Sequence, residues 1–320
     1  MRKSTKIWLI VAVSLVLLGC VLSAGLMSTL GWDFKKLATV QYETNTYEIN
    51  ETFDGISVNT TTADIIFVFS NDGKCRVECY EEENAKHSAT VKDGILTVEL
   101  IDKRSVYDFI GINLDSPKVT VCLPEREYVS LLIAENTGDI GIPKDFTFQE
   151  VSISSSTGDV NFYASASEMV RIKTSTGDIH VKNMSTGALD LSVSTGKVTV
   201  SDVTCRGDIN VEVSTGKAHL TDIACKSVIS SGSTGDISLN HVIAAEKFSI
   251  RRSTGDINFE RSDAAEIFAK TDTGDVTGTL FTDKMYMIQT DTGSVDVPKN
   301  TTGGKCEIIT TTGDIKITVV

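Results

Sequence analysis

Carboxylates recur in this chain at a fixed interval. Asp139, Asp159, Asp178, Asp236, Asp256, Asp275 and Asp314 each follow a Thr-Gly pair, and Lys197, Lys217 and Ser294 fill the same place in the remaining copies. The corner glycines are Gly138, Gly158, Gly177, Gly196, Gly216, Gly235, Gly255, Gly274, Gly293 and Gly313, always 19 or 20 residues apart. Stacked carboxylates supply hard oxygen ligands, so the first chemistry to weigh is a cation ladder held by Asp236, Asp256 and Asp275. Solvated turn residues would give the same row. Two aspartates about 4.8 Å apart in water repel by only ~0.9 kcal/mol, so a ladder survives without an ion. Lys197 and Lys217 interrupt the charge, and the Gly-Gly-x-Gly-x-Asp pattern of calcium solenoids is missing. The solvated-turn reading is preferred, and no metal or cofactor is expected.

The other reactive residue types are scattered. His180 and His219 share a register three residues after a corner glycine, but two coils of the repeat would hold them about 10 Å apart. No Gly-x-Ser-x-Gly, His-Glu-x-x-His or P-loop pattern occurs. The acids spread along the chain instead of gathering at one cleft, so no catalytic residue is assigned and an enzyme is not expected. Of the seven cysteines, Cys20 lies in an apolar segment, and Cys75 and Cys79 are too far apart along one strand to pair. Cys205 and Cys225 fall in a column whose other members include Ser167, Thr186, Ala244 and Ala264, which implies compact packing. Adjacent coils would bring those two near disulfide range, so a bond between them is left open. No Cys-x-x-Cys or His-rich spacing suggests zinc. Arg252 occupies a column filled elsewhere by Val193, Val213 and Thr271, where it would satisfy a corner carbonyl or point outward.

The elements that position these residues follow from the same repeat. Apolar residues stand two and four places after each glycine, as in Ile179 and Val181 or Ile257 and Phe259. They also stand four and six places before each threonine, as in Ile172 and Val170 or Ile250 and Phe248. Alternation with period two on both sides of a turn is a strand signal with one face inward. Self-similarity near 20 residues signals a solenoid in which neighbouring coils bury each other's faces. The expected fold is all-β: a single-stranded β-helix with coils of 19–20 residues, about ten coils making a rod of roughly 50 Å. A sharp corner calls for positive φ, which glycine adopts without a Cβ penalty.

Before the solenoid the chain changes character. Residues 1–6 carry Arg2, Lys3 and Lys6 and form a short cytoplasmic start. Ile7 to Leu30 is uncharged and long enough to span a bilayer, with Trp8 and Trp32 at its ends. Leu17-Leu18-Gly19-Cys20 resembles a lipobox, but apolar sequence continues to Leu30, so a retained anchor is preferred over cleavage or lipidation. The cations before the span outnumber Lys35 and Lys36 after it, favouring a cytoplasmic N-terminus and an extracellular solenoid. Residues 31–50 are read as a polar stalk, 51–128 as an irregular β cap, and 129–320 as the regular solenoid. Within the cap, Thr62-Ala63-Asp64 looks like a degenerate corner, Asp93-Gly94 a hairpin turn, and residues 102–116 a loop. A formal net charge of −13 disfavours nucleic-acid binding.

The chain resembles the bacterial putative-adhesin family of unknown function. The residues that carry the likeness are Gly31-Trp-Asp-Phe-Lys-Lys-Leu37, Phe53-Asp-Gly-Ile-Ser-Val58, Val119-Thr-Val-Cys-Leu-Pro124 and the Thr-Gly-Asp corners. The resemblance covers nearly the whole chain and implies one membrane anchor with a β-solenoid ectodomain. The expected function is a non-catalytic cell-surface protein that binds a surface polymer or protein, or serves as an envelope scaffold. The alternatives are a signalling accessory acting through a membrane partner, and a polysaccharide-active β-helix enzyme. Partners expected are the lipid bilayer through Ile7–Leu30 and a second copy through the edge strand Ile315-Lys-Ile-Thr-Val-Val320.

Overall fold

The computed structural model describes residues 3–33, 40–104 and 115–320. Lys35, Lys36 and most of the expected 102–116 loop lie outside the described residues. The chain is 68% strand and 8% helix, a β-solenoid of about ten turns with one N-terminal apolar helix. That helix, α1, runs Lys3–Thr29, and its Thr5–Thr29 stretch is long and apolar enough to cross a membrane. Its residues 7–29 carry no charged side chain, and Trp8, Leu15 and Leu22 are all exposed.

Each regular coil turns three times. In the strand Ile179–Thr195, burial alternates through Ile179 and Val181, breaks at Lys182 and Asn183, and resumes at Met184 and Thr186. It breaks again at Gly187 and Ala188, then alternates through Leu189, Leu191 and Val193 to the Thr-Gly corner. Every break in the period-two pattern marks a bend that keeps apolar side chains pointing inward. The Thr-Gly bend needs glycine for two reasons. Gly216 has φ of 136°, and a Cβ there would run into the carbonyl oxygen of Gly196 in the coil before it. All ten corner glycines have positive φ.

The second bend was not anticipated from the sequence. Asn183, Asp202, Asp222, His241 and Arg261, each six residues after a corner glycine, adopt left-handed φ between 44° and 55°. Asn, Asp and His are the non-glycine types most often found in this conformation, whereas Arg adopts it at some cost in strain.

Coils stack in parallel, one step per repeat: Val151 pairs with Leu131 on one side and Val170 on the other. The expected columns are buried, with Ile140, Val160, Ile179, Val198 and Ile237 fully inside. At the far end the stack leaves sequence order. Ile267 pairs with Cys306, and Val276 with Ile315, so the last coil lies directly on Asp263–Leu280. The strand Lys284–Thr292 then pairs with the other side of Gly304–Thr312 and is outermost. Two expectations are corrected here. Ile315 and Lys316 are paired on both sides, so the free edge expected along the whole C-terminal strand is confined to Ile317, Thr318 and Val319, which pair only with Gly278, Thr279 and Leu280. Val295, expected in a core column, is 48% exposed because its coil has no neighbour beyond it.

The N-terminal end is also closed out of sequence. The strands are β1 (Tyr42–Ile49), β2 (Gly55–Asn59), β3 (Asp64–Phe69), β4 (Cys75–Glu82) and β5 (Ala85–Lys92). They continue with β6 (Ile95–Asp102), β7 (Lys118–Leu123), β8 (Glu127–Thr137) and β9 (Ile140–Ile142). β2 and β3 pair directly with β8 and β9, and β6 and β7 form the layer beyond. Antiparallel β5 and β4 pair with β6 and β7, and β1 pairs with β4. β1 therefore corrects the stalk reading for residues 42–49, which are a paired strand. Asp93-Gly94 is the β5–β6 turn, with φ of 52° and 75°, as its sequence implied.

Candidate functional site

The corner aspartates are engaged with backbone. Asp139 Oδ1 accepts the N–H of Asp159 at 2.8 Å, and Asp159 Oδ1 accepts that of Asp178 at 2.8 Å. Asp178 serves Lys197 at 2.8 Å, Asp236 serves Asp256 at 3.2 Å, and Asp256 serves Asp275 at 2.8 Å. Asp64 serves Asp139 at 3.0 Å, so Thr62-Ala63-Asp64 does work as a corner, with Ala63 in the glycine position. A corner N–H otherwise left over by the turn finds a charged acceptor in the neighbouring coil, which is stronger than a neutral bond. The run continues in stacking order: Asp314 N donates to Asp275, and Ser294 N donates to Asp314, both at 2.7 Å. Ser294 has no carboxylate to offer onward, which suits the outermost coil. Asp236, Asp256 and Asp275 thus form a hydrogen-bonded ladder, in which one oxygen of each carboxylate is already used. Lys217 Nζ lies 2.9 Å from Asp236 Oδ2, and that ammonium depresses the Asp236 carboxyl below its usual range.

Inside the same corner runs a column three residues before each glycine. Thr271 and Thr310 hydroxyls donate to the corner carbonyls of Gly255 and Gly274 at 3.0 and 3.1 Å. Arg252 occupies this column without doing either thing expected of it. It is buried, its Nη2 donates to Ser230 Oγ at 3.0 Å, and it fills the space left by Gly232, where a Cβ would meet the guanidinium. Burial pulls its pKa down to about 10. At the other end of the column Glu135 is buried, and among the described residues neither of its carboxyl oxygens has a hydrogen-bond partner. Burial, reinforced by the charges of Asp64 and Asp139, pushes the Glu135 carboxyl up to about 8.

The expected histidine register holds, and it brings nothing together: Thr199 stands between His180 and His219 in the stack. Burial, then Lys197 and Lys217, lower the pKa of His219. Cys205 and Cys225 are free thiols in the structure, both buried.

The denser polar cluster is in the cap. His87 Nδ1 lies 2.7 Å from Glu81 Oε2, and His87 Nε2 lies 2.9 Å from Thr60 Oγ1. The His87 N–H donates to Glu81 Oε2 at 2.6 Å, and Asn45 Nδ2 donates to Glu81 Oε1 at 2.7 Å. Tyr47 Oη donates to the His87 carbonyl at 2.5 Å. Cys79 is fully buried alongside, and burial followed by the Glu81 charge pushes its thiol up to about 12. The sequence reading missed this group. Its one local signal is the spacing of Cys79 and Glu81, which puts both on one face of a strand. The return of His87 depends on the hairpin.

Residues 53–221 and 205–320 match the model of the Toastrack DUF4097 family. The chain belongs to the Toastrack DUF4097 family. No curated protein matches it. Among solved structures, a putative adhesin from Bacteroides fragilis shares 14% identity at a TM-score of 0.40, covering 88% of this chain and 97% of its own. A putative adhesin from Parabacteroides distasonis shares 10% at a TM-score of 0.47, covering 88% and 98%. A protein from the same species, named a putative lipid binding protein, shares 17% at a TM-score of 0.49, covering 75% and 95%.

Proposed function

We propose that this Toastrack protein is a non-catalytic cell-surface module, held by α1 with its N-terminus inside the cell, that binds an extended polymer along one outer face of the rod. The observation that carries this reading is the face formed by the long strand before each corner. Arg171, Asp190, Asn210, Ile229, Ser249 and Phe268 stack there in one row, joined coil to coil by parallel pairing. Beside it run Lys173, Ser192, Glu212, Ser231, Arg251 and Lys270. Arg251 lies over the Phe268 ring at 4.5 Å, a cation–π pair that joins the two rows. Polar groups repeating at about 4.8 Å suit a ligand that is itself extended and periodic.

The ectodomain, residues 37–320, incubated with isolated bacterial cell walls and with mucin, tests this. Retention without release of reducing sugar is expected, and Phe268→Ala should reduce it several-fold. Released sugar would point to an enzyme, and no retention on either material would remove the polymer reading.

A further inference from the structure

The cap cluster has no part in the outer face, and its geometry suits a metal ion. Cys79 and Glu81 project from one side of β4. The tight β4–β5 connection, in which Glu82 pairs with Ala85, returns His87 to the same place. One sulfur, one carboxylate oxygen and one imidazole nitrogen lie within 4.8 Å of one another, and all three residues are buried. We propose that Cys79 Sγ, Glu81 Oε2 and His87 Nδ1 bind a zinc ion that locks the β4–β5 hairpin into the cap.

Thiolate, imidazole and carboxylate together are a donor set that zinc favours, and three protein ligands leave a fourth position for water. The atoms turned away from the centre are already held. His87 Nε2 meets Thr60 Oγ1, which leaves Nδ1 facing the cluster; Asn45 holds Glu81 Oε1, and Oε2, which also accepts the His87 backbone N–H at 2.6 Å, faces Nδ1. Outer partners that orient ligands in this way are the usual company of a metal-binding histidine and carboxylate. The hydrogen bonds of the cluster run through Glu81 and His87, and among the described residues Cys79 Sγ takes part in none of them. Ligands around a tetrahedral zinc stand roughly 3.3 Å apart or more. The 2.7 Å contact between Glu81 and His87 therefore opens by less than an ångström on loading. Of the three residues only His87 also lines a neighbouring cavity of about 190 Å³, together with Thr61, Thr62 and Leu100.

The full chain in detergent, stripped with a chelator and then titrated with zinc or cobalt(II), tests the proposal. About one zinc per chain is expected after gel filtration, with a higher Tm than the stripped protein. Cobalt(II) should give thiolate-to-metal absorption in the near ultraviolet and tetrahedral bands in the visible. Cys79→Ser and His87→Gln should lose the bound zinc, the cobalt bands and the Tm rise. Wild-type protein without a cobalt–thiolate band, or folded variants that keep zinc as the wild type does, would overturn the site. If neither variant folds, the wild-type Tm decides, and no rise with zinc overturns it.

Discussion

Gly216 illustrates how a single residue carries a corner. Its φ of 136° lies in a region that only glycine occupies comfortably, and the Gly196 carbonyl fills the place of a side chain. Gly216→Val should cost at least ~3 kcal/mol from strain and displacement together, read as a fall of several degrees in Tm. A Tm equal to wild type would mean that the corner can open without loss. Glu135 sets a pH dependence of the opposite kind to most carboxyls. Its folded pKa is raised to about 8, so the folded state holds a proton that the unfolded state has already lost. The stability it contributes is full below the unfolded value of about 4.5 and is lost as pH rises through about 8. Glu135→Gln should flatten the decline between those limits and make the variant more stable than wild type at pH 9, measured by denaturant unfolding across pH. Equal slopes in both proteins would show that Glu135 is not buried in its acid form.

Strands and coils are joined by a few bonds that cross the repeat. Lys284, at the start of the outermost strand, is buried, and its Nζ lies 2.6 Å from Asp263 Oδ1. Asp263 Oδ2 accepts from the N–H groups of Phe281 and Thr282 at 3.0 and 2.6 Å. This pair fastens the outermost coil to the coil two layers in, across the inserted C-terminal coil. Removing one member leaves the other charge buried and uncompensated, which typically costs 3–5 kcal/mol. Lys284→Met should therefore destabilise by about 3 kcal/mol, whereas replacing the exposed Lys305, paired with Glu307 at 2.7 Å, should cost no more than about 1 kcal/mol. Equal effects in urea unfolding would argue that the buried pair is no stronger than the surface one.

Over the whole molecule the order of the coils is the feature to test. With Gly304–Thr312 between two coils and Lys284–Thr292 at the rim, amides of 304–316 should exchange more slowly with deuterium than those of 284–296. The reverse pattern would restore simple sequence order. The ladder gives the physical reason for the observed order. If coils followed the sequence, the Asp314 N–H would lie over Ser294 and meet no carboxylate. As built, Asp275 caps Asp314 and Asp314 caps Ser294.

The sequence by itself determined what is local and repeated. Thr-Gly-Asp at 19 or 20 residues specifies a positive-φ corner, and apolar alternation on either side specifies which face turns inward. These signals need only neighbouring residues, so the solenoid, its period, the Asp93-Gly94 hairpin and the apolar helix were all legible. Tertiary structure decided what depends on which coil meets which. Coils that share one local pattern pair almost equally well, so individual groups such as Ser294 and the Lys284–Asp263 pair select the order. The left-handed bend at Asn183, Asp202, Asp222, His241 and Arg261 escaped notice because its residue types differ from coil to coil. The Cys79, Glu81 and His87 cluster escaped because a hairpin brings it together, and no spacing in the chain announces that meeting.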